Sequence, residues 1–350
     1  MDAETEARVR NAWLGRVSGC MLGKPVEMMS MMSGLDELTD YLTRGDALPL
    51  RDYVPAVPDT MIGDMFSQMC RGNIDRSVPD DDINYTVLAL MVLEQNGMDF
   101  TTADVARAWL RLLPGGMTFT AERAAYVVLL ENAGVGFTFG APPEFDLEQC
   151  SDNEFNDWIG AQIRADLYGW IAPGEPALAA ELAGRDAALS HRGTGVHGAQ
   201  VIAALGAAIP SAASLHAAIA EAAALIPSDS ECAEAIELGI RCAAENTGPM
   251  PIHTRYDGMP PVHTVNNLAL VVWGLLNGAD DFSVAIGDTV AAGLDTDCNG
   301  ATVGALWGLT GLPVPDAWSA PWQGRIETTL AGVGELALDD LVTRTIALMN

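Results

Sequence analysis

Gly300, Gly304 and Gly308 recur every four residues in an apolar segment, with Ala301 and Ala305 beside them. Positions four apart stack on one face of a helix. This face therefore lacks Cβ atoms and suits contact with another backbone. The pattern predicts a helical bundle in which main chains touch. The segment runs on directly from Gly293-Leu294-Asp295-Thr296-Asp297-Cys298-Asn299, so these two aspartates sit at the heart of that bundle. In an extended stretch, Asp295 and Asp297 would point the same way. Two carboxylates aimed at one point repel unless a cation lies between them.

A second acidic segment supplies a partner. Pro79-Asp80-Asp81-Asp82 precedes a helix predicted over 83–95, with Ile83, Val87, Leu88, Met91 and Val92 on one side and Asn96-Gly97 at its end. One aspartate there is explained as an N-cap favoured by the helix dipole. Three in a row exceed what a cap requires. The two segments are expected to meet around divalent metal, with Asp80, Asp81, Asp82, Asp295 and Asp297 as ligands. Such hard oxygen donors favour Mg²⁺, Mn²⁺ or Ca²⁺ over zinc.

The rest of the chain also reads as helical. Val9, Trp13, Val17 and Met21 predict a helix over 3–22, stopped by Gly23-Lys24-Pro25 and followed by Glu27. Met28 to Met32 reads as adaptable packing material beside a loop, and 44–60 as irregular. Helices are expected from Thr101 or Thr102 to Leu113, over 122–130, 176–190, 196–209, 213–226 and 229–245, and from His263 to Asn277. Ser228 and Glu231 have capping-box spacing, and Asp280-Asp281 reads as a cap. Residues 247–262 read as loop and 330–349 as a terminal helical region. No segment has convincing strand periodicity, so the fold class is all-α. The Gly/Pro/Asp-rich stretch 132–158 reads as a lid or insertion within a single domain spanning 1–350. Helical patterns resume after it without a change of composition.

Two glycine-rich segments carry further candidates. Gly160, Gln162 and Arg164 lie in one, and His191, Gly193, Gly195, His197 and Gly198 in the other. Glycines allow close backbone approach, and a helix start offers free N–H groups to an anion. A plain helix-to-helix turn accounts for the second segment equally well.

The net charge of −29 argues against nucleic acid and against anionic membrane surfaces as partners. The six cysteines are scattered without a C-x-x-C pair and read as reduced, buried thiols. The first residues lack the basic and apolar regions of a signal peptide, and a cytoplasmic location is expected.

The order of motifs is a glycine-containing first helix ending in Pro25-x-Glu27, an aspartate cluster opening an apolar helix, a His/Gly helix junction, and Asp-Thr-Asp before a Gly/Ala helix. This order resembles the ADP-ribosylglycohydrolase family over roughly residues 12–310. The resemblance implies an all-α, orthogonal multi-helix bundle with two Mg²⁺ or Mn²⁺ ions in a central cleft. It implies hydrolysis of a glycosidic bond at the anomeric carbon of a ribosyl or ADP-ribosyl group. Asp80, Asp81 and Asp82 fall on one family metal motif, and Asp295, Thr296 and Asp297 on the other. Glu27 falls on the glutamate near metals and substrate, so Glu27, Asp81 and Asp297 are the catalytic candidates. Gly160 to Arg164 and His191 to Gly198 fall on the substrate loops. Two positions depart from the pattern: Asp80 stands where threonine is usual, and Cys298 where threonine or serine is usual. A thiol is a poor ligand for Mg²⁺, which puts the second ion in question. Two other functions fit the same residues: a non-catalytic ADP-ribose or nucleotide binding module, and a hydrolase of a small free N-riboside.

Overall fold

The computed structural model describes residues 3–349. Its longer helices are α1 (Ala3–Gly23), α2 (Glu27–Arg44), α3 (Asp81–Asn96), α4 (Thr102–Leu112), α5 (Thr120–Asn132), α6 (Pro176–Ala187), α7 (Thr194–Ala208), α8 (Leu215–Ala223), α9 (Glu231–Ala244), α10 (Thr264–Asn277), α11 (Phe282–Ala291), α12 (Thr296–Gly308) and α13 (Leu338–Ala347). The all-α expectation therefore holds for nearly the whole chain.

The glycine stripe packs as predicted, against a matching stripe on α1. A Cβ added at Gly304 would lie 2.2 Å from the Gly15 carbonyl oxygen, and one at Gly300 2.6 Å from that of Gly19. A Cβ at Gly23 would lie 2.3 Å from the Thr296 carbonyl carbon. No side chain separates these helices. The C-terminal end of α1 thereby meets the N-terminal end of α12, which fixes where Lys24 to Glu27 stand relative to Asp295 to Asp297.

Around this pair the core is continuous. Trp13 is buried on α1, packs edge-on against Trp170 at 5.0 Å between ring centroids, and donates its indole N–H to Thr345 on α13. Thus α13 closes the bundle on the face of α1 that bears Trp13.

Several boundaries differ from expectation. The chain does not enter a loop after Gly23. Lys24–Val26 forms a single 3₁₀ turn with Pro25 inside it, and Glu27 opens α2. The Met28 to Met32 patch is therefore helical, and Gly34 (φ 85°) kinks α2 just beyond it. The cap of α9 is Ser230, whose hydroxyl accepts from the Ala233 N–H, rather than Ser228. The stretch 247–262 contains a short helix, Met250–Arg255. Before α13, Arg325–Glu327 and Glu335–Ala337 pair as a two-stranded antiparallel ribbon, β1 and β2. Strands of three residues are too short to show alternation. The 132–158 stretch is pinned by buried Phe137, Cys150 and Ser151 and holds two short helical turns.

Candidate metal and substrate centre

Asp295 caps α12 with extended backbone (φ −85°, ψ 90°), and Thr296 already belongs to the helix. The two aspartates therefore converge at a helix start, not along an extended strand. Leu294, just upstream, holds φ at 60°, an uncommon conformation for a branched residue. Three ties fix the segment. The Thr296 hydroxyl donates to the Gly23 carbonyl at 2.9 Å, Ser30 donates to the Leu294 carbonyl at 2.7 Å, and the Asn267 side-chain oxygen accepts from the Asp295 N–H at 3.3 Å and from Asn299 at 2.7 Å.

On α3, Asp80 is the N-cap, accepting from the Asp82 N–H at 2.9 Å. The capping explanation is thus correct for one of its oxygens. Asp82 is fully buried, with Oδ1 held 2.8 Å from Arg16 Nη2. Arg16 also reaches Asp166 at 2.8 Å, Thr302 at 3.2 Å and the Ile163 carbonyl at 2.6 Å. One buried guanidinium therefore locks α1, α3, α12 and the 160s segment together. Asp81 is partly exposed and interacts electrostatically with Asp80, Lys24, Asp297 and Glu122.

The acidic segments do meet. Ligand-type atoms of Glu27, Asp295 and Asp297 lie within 4.8 Å of one another, as do those of Asp82, Asp297 and Cys298, and those of Cys20, Asp80 and Asp82. Buried oxygens without a hydrogen-bond partner include Asp82 Oδ2, Asp295 Oδ1, Asp297 Oδ1 and Asn299 Oδ1. Burial and the neighbouring carboxylates hold Asp81, Asp82, Asp295 and Glu27 well above the usual carboxylate range. That is the signature of a site short of positive charge. The donors are oxygens, the distances suit chelation, and the unpartnered atoms are the ones a cation would take up, so the residues fit a hard divalent ion. Burial keeps the Cys20 and Cys298 thiols above their ordinary pKa, which disfavours thiolate ligation.

Lys24 stands in the middle of this cluster. Its Nζ is 2.6 Å from Glu27 Oε2, 2.6 Å from Asp80 Oδ2 and 3.0 Å from Asp297 Oδ2. Burial works against the ammonium, but Asp297, Asp80 and Glu27 outweigh it and raise its pKa. A surface hollow of about 490 Å³ lies elsewhere, lined by Leu14, Ala320 and Trp322 among others.

Beyond Asp81 lies a second polar cluster. Gly160 packs directly on Glu122, since a Cβ there would lie 2.1 Å from Glu122 Oε1. Arg164 is 2% exposed, and its guanidinium donates to Glu122 (2.5 Å), Ser190 (3.1 Å) and both the side chain and backbone of Asp186 (2.7 and 3.2 Å). It is committed to protein partners. Gln162 is fully buried with both amide atoms unpartnered, and its Oε1 would be 3.2 Å from a Cβ on Gly198. His191 is buried with Nε2 unpartnered and Ser190 Oγ 2.8 Å from Nδ1; burial, then Arg164, keep it neutral. A Cβ on Gly195 would meet His191, whereas Gly193 is exposed at φ 46° and His197 half-buried.

Sequence reasoning missed Arg16, Lys24, Glu122 and Asn267. Each has an ordinary local explanation: a helix-surface arginine, a cation at a helix C-terminus, an acid in a first helical turn, and an amide near a cap. One signal was present for Glu122, which lies shortly after Gly115-Gly116.

Two comparisons bear on this arrangement. A solved structure described as an ADP-ribosylglycohydrolase-related protein complex superposes with a TM-score of 0.63 at 20% identity, covering 99% of this chain and 98% of that one. At that identity the likeness is one of fold. Among curated protein sequences nothing matches. The sequence model of the ADP-ribosylglycohydrolase family matches residues 1–346, which takes in the paired glycine helices and every acidic residue at their junction, and so the chain belongs to the ADP-ribosylglycohydrolase family.

Proposed function

We propose that this protein is a divalent-metal-dependent hydrolase that cleaves the glycosidic bond at the anomeric carbon of a ribosyl or ADP-ribosyl group. The observation that carries this reading is the set of buried, unpartnered oxygens on Asp82, Asp295, Asp297 and Asn299 within a cluster also holding Glu27. Left bare in a dry interior, such atoms cost several kcal/mol each, roughly. A bound Mg²⁺ or Mn²⁺ would supply Lewis acidity to ribose hydroxyls and to the attacking water. The chain's own residues do the rest. With a cation bound to relieve the crowding of carboxylates, the negative charge of Asp81 and Asp297 would favour the positive charge that develops on the sugar ring. Glu27, one-fifth exposed on its side chain (19%), carries the proton between water and leaving group. Gln162 and His191 Nε2 are the unspent hydrogen-bonding groups of the second cluster, and they meet the substrate beside the glycine backbone of Gly160, Gly193, Gly195 and Gly198, with His197 at the rim. Arg164 holds Glu122 and Asp186 in place instead of binding phosphate itself.

The test is product release. Purified protein with Mg²⁺ or Mn²⁺ is incubated with ADP-ribosyl-arginine and ADP-ribosyl-serine peptides and with free N-ribosides, and ribose or ADP-ribose is measured. Asp297→Asn is expected to lower release by at least about a hundredfold. Silence of the unmodified protein across that panel, with ADP-ribose still bound, would overturn catalysis in favour of a binding module.

A further inference from the structure

Lys24 has no counterpart in a plain carboxylate cage. It sits on a 3₁₀ turn held between two helices, with Pro25 restricting the backbone and Gly23 pressed on Thr296. Its ammonium meets carboxylates from three separate segments: Glu27 on α2, Asp80 before α3 and Asp297 on α12. The ammonium donates to Glu27 and Asp297 and lies 2.6 Å from Asp80 Oδ2 as an ion pair. It also bridges both acidic segments, which is the part a metal ion would play.

We propose that the Lys24 ammonium is a built-in cation of this centre, taking the place of one divalent ion, so that the protein binds a single Mg²⁺ or Mn²⁺ on the oxygens Lys24 leaves free. This rests on the reading of the acidic centre as a metal site. Lys24 hydrogen-bonds Asp297 Oδ2 and Glu27 Oε2 and ion-pairs with Asp80 Oδ2, whereas Asp82 Oδ2, Asp295 Oδ1 and Asp297 Oδ1 have neither a hydrogen-bond partner nor an ion pair with Lys24. Ligand atoms of Asp82 and Asp297 gather with Cys298, and those of Asp295 and Asp297 with Glu27, so the seat clear of Glu27 and Asp80 lies between Asp82 and Asp297. One divalent ion there and one ammonium beside it share Asp297 between them. A second divalent ion would have to sit within a few ångströms of the ammonium, where like charges repel strongly in a poorly screened interior. Arg16 already neutralises the far side of Asp82.

The count is measured directly on the full chain. Equilibrium dialysis against Mn²⁺ with elemental analysis gives the equivalents bound, and electron paramagnetic resonance tells an isolated ion from a spin-coupled pair. The unmodified protein is expected to hold one equivalent with an uncoupled spectrum. Lys24→Met, similar in length and uncharged, is expected to double the bound Mn²⁺ and give a coupled signal, whereas Lys24→Arg stays at one. Two coupled ions in the unmodified protein overturn the proposal and leave the metal-site reading standing. No bound ion in either protein overturns both. A Lys24→Met protein that folds and still holds one ion also overturns it. If that variant does not fold, the count and spectrum of the unmodified protein decide alone.

Discussion

Gly304→Ala tests the element on which the whole centre depends. The added methyl would lie 2.2 Å from the Gly15 carbonyl oxygen, 2.7 Å from its carbonyl carbon and 3.2 Å from its Cα. Ordinary contact at such a position needs about 1 Å more. The atoms in the way are backbone, so no rotamer change relieves the clash, and α1 and α12 must separate. Overpacking of this kind costs about 1–3 kcal/mol, and rigid surroundings put it at the upper end. Alanine recovers about 1 kcal/mol through its better helix propensity. The net loss is about 2 kcal/mol, and for a large domain that lowers Tm by roughly 4 °C or more. Gly116→Ala is the control, since an added Cβ there meets nothing within 4 Å. Thermal and urea unfolding of both variants would be compared with the parent. A Gly304→Ala protein as stable as the parent would refute the claim that backbone contact sets the spacing of these helices. The same wedge placed at Gly23, 2.3 Å from the Thr296 carbonyl carbon, falls at the acidic centre itself. Its added signature is loss of Mn²⁺-induced thermal stabilisation.

Arg16→Met leaves Asp82 and Asp166 buried without their shared partner, and breaking such a buried pair costs about 3–5 kcal/mol; urea unfolding showing less than about 1 kcal/mol would count against Arg16 as the central tie. His191 is held below its ordinary pKa of 6.5 by burial and by Arg164, so the unfolded chain takes up its proton first and stability falls as pH drops below about 6.5. His191→Gln removes that contribution, and its stability measured at pH 7.5, 6.5 and 5.5 is expected to fall less steeply than the parent's, with identical slopes counting against the assignment. Cys298→Thr replaces a soft donor near Asp82 and Asp297 by a hard one; calorimetry is expected to show tighter Mg²⁺ binding by about threefold or more, and unchanged affinity would place the thiol outside the coordination sphere.

The features legible in the sequence were those whose cause lies within a few residues. The stripe at Gly300, Gly304 and Gly308 announced a backbone contact because its period is local, and Asp281 and Thr101 announced caps for the same reason. Even so, the partner stripe of Gly15, Gly19 and Gly23 is masked on the same helix by the stronger apolar period of Trp13 and Val17. Gly23-x-Pro25 marks the end of α1 at Gly23, as expected, but nothing local marks the immediate start of α2. Here the 3₁₀ turn carries the chain straight into α2. The two-stranded ribbon had no period to read. Residues whose roles come from long-range pairing were hidden: Arg16 meets Asp166 across 150 positions, Lys24 meets Asp297 across 273, and Arg164 meets Glu122 across 42.

Those hidden pairings change what the acidic motifs mean. Counted along the sequence, the aspartates look like a uniform demand for metal. In the fold they divide. Asp166 and one side of Asp82 belong to Arg16. Asp80, Glu27 and one side of Asp297 belong to Lys24. What remains, besides the partly exposed Asp81, is a set of single buried oxygens, on Asp82, Asp295 and Asp297, each on a carboxylate whose neighbours are already fixed by helix packing or a guanidinium. Buried charge is costly unless paired, so each protein cation both stabilises the bundle and subtracts from the charge left for a metal. The cations therefore set the capacity of the centre as much as the carboxylates do. The glycine contact between α1 and α12 sets its dimensions, because it brings the helix end that carries Lys24 against the helix start that carries Asp297.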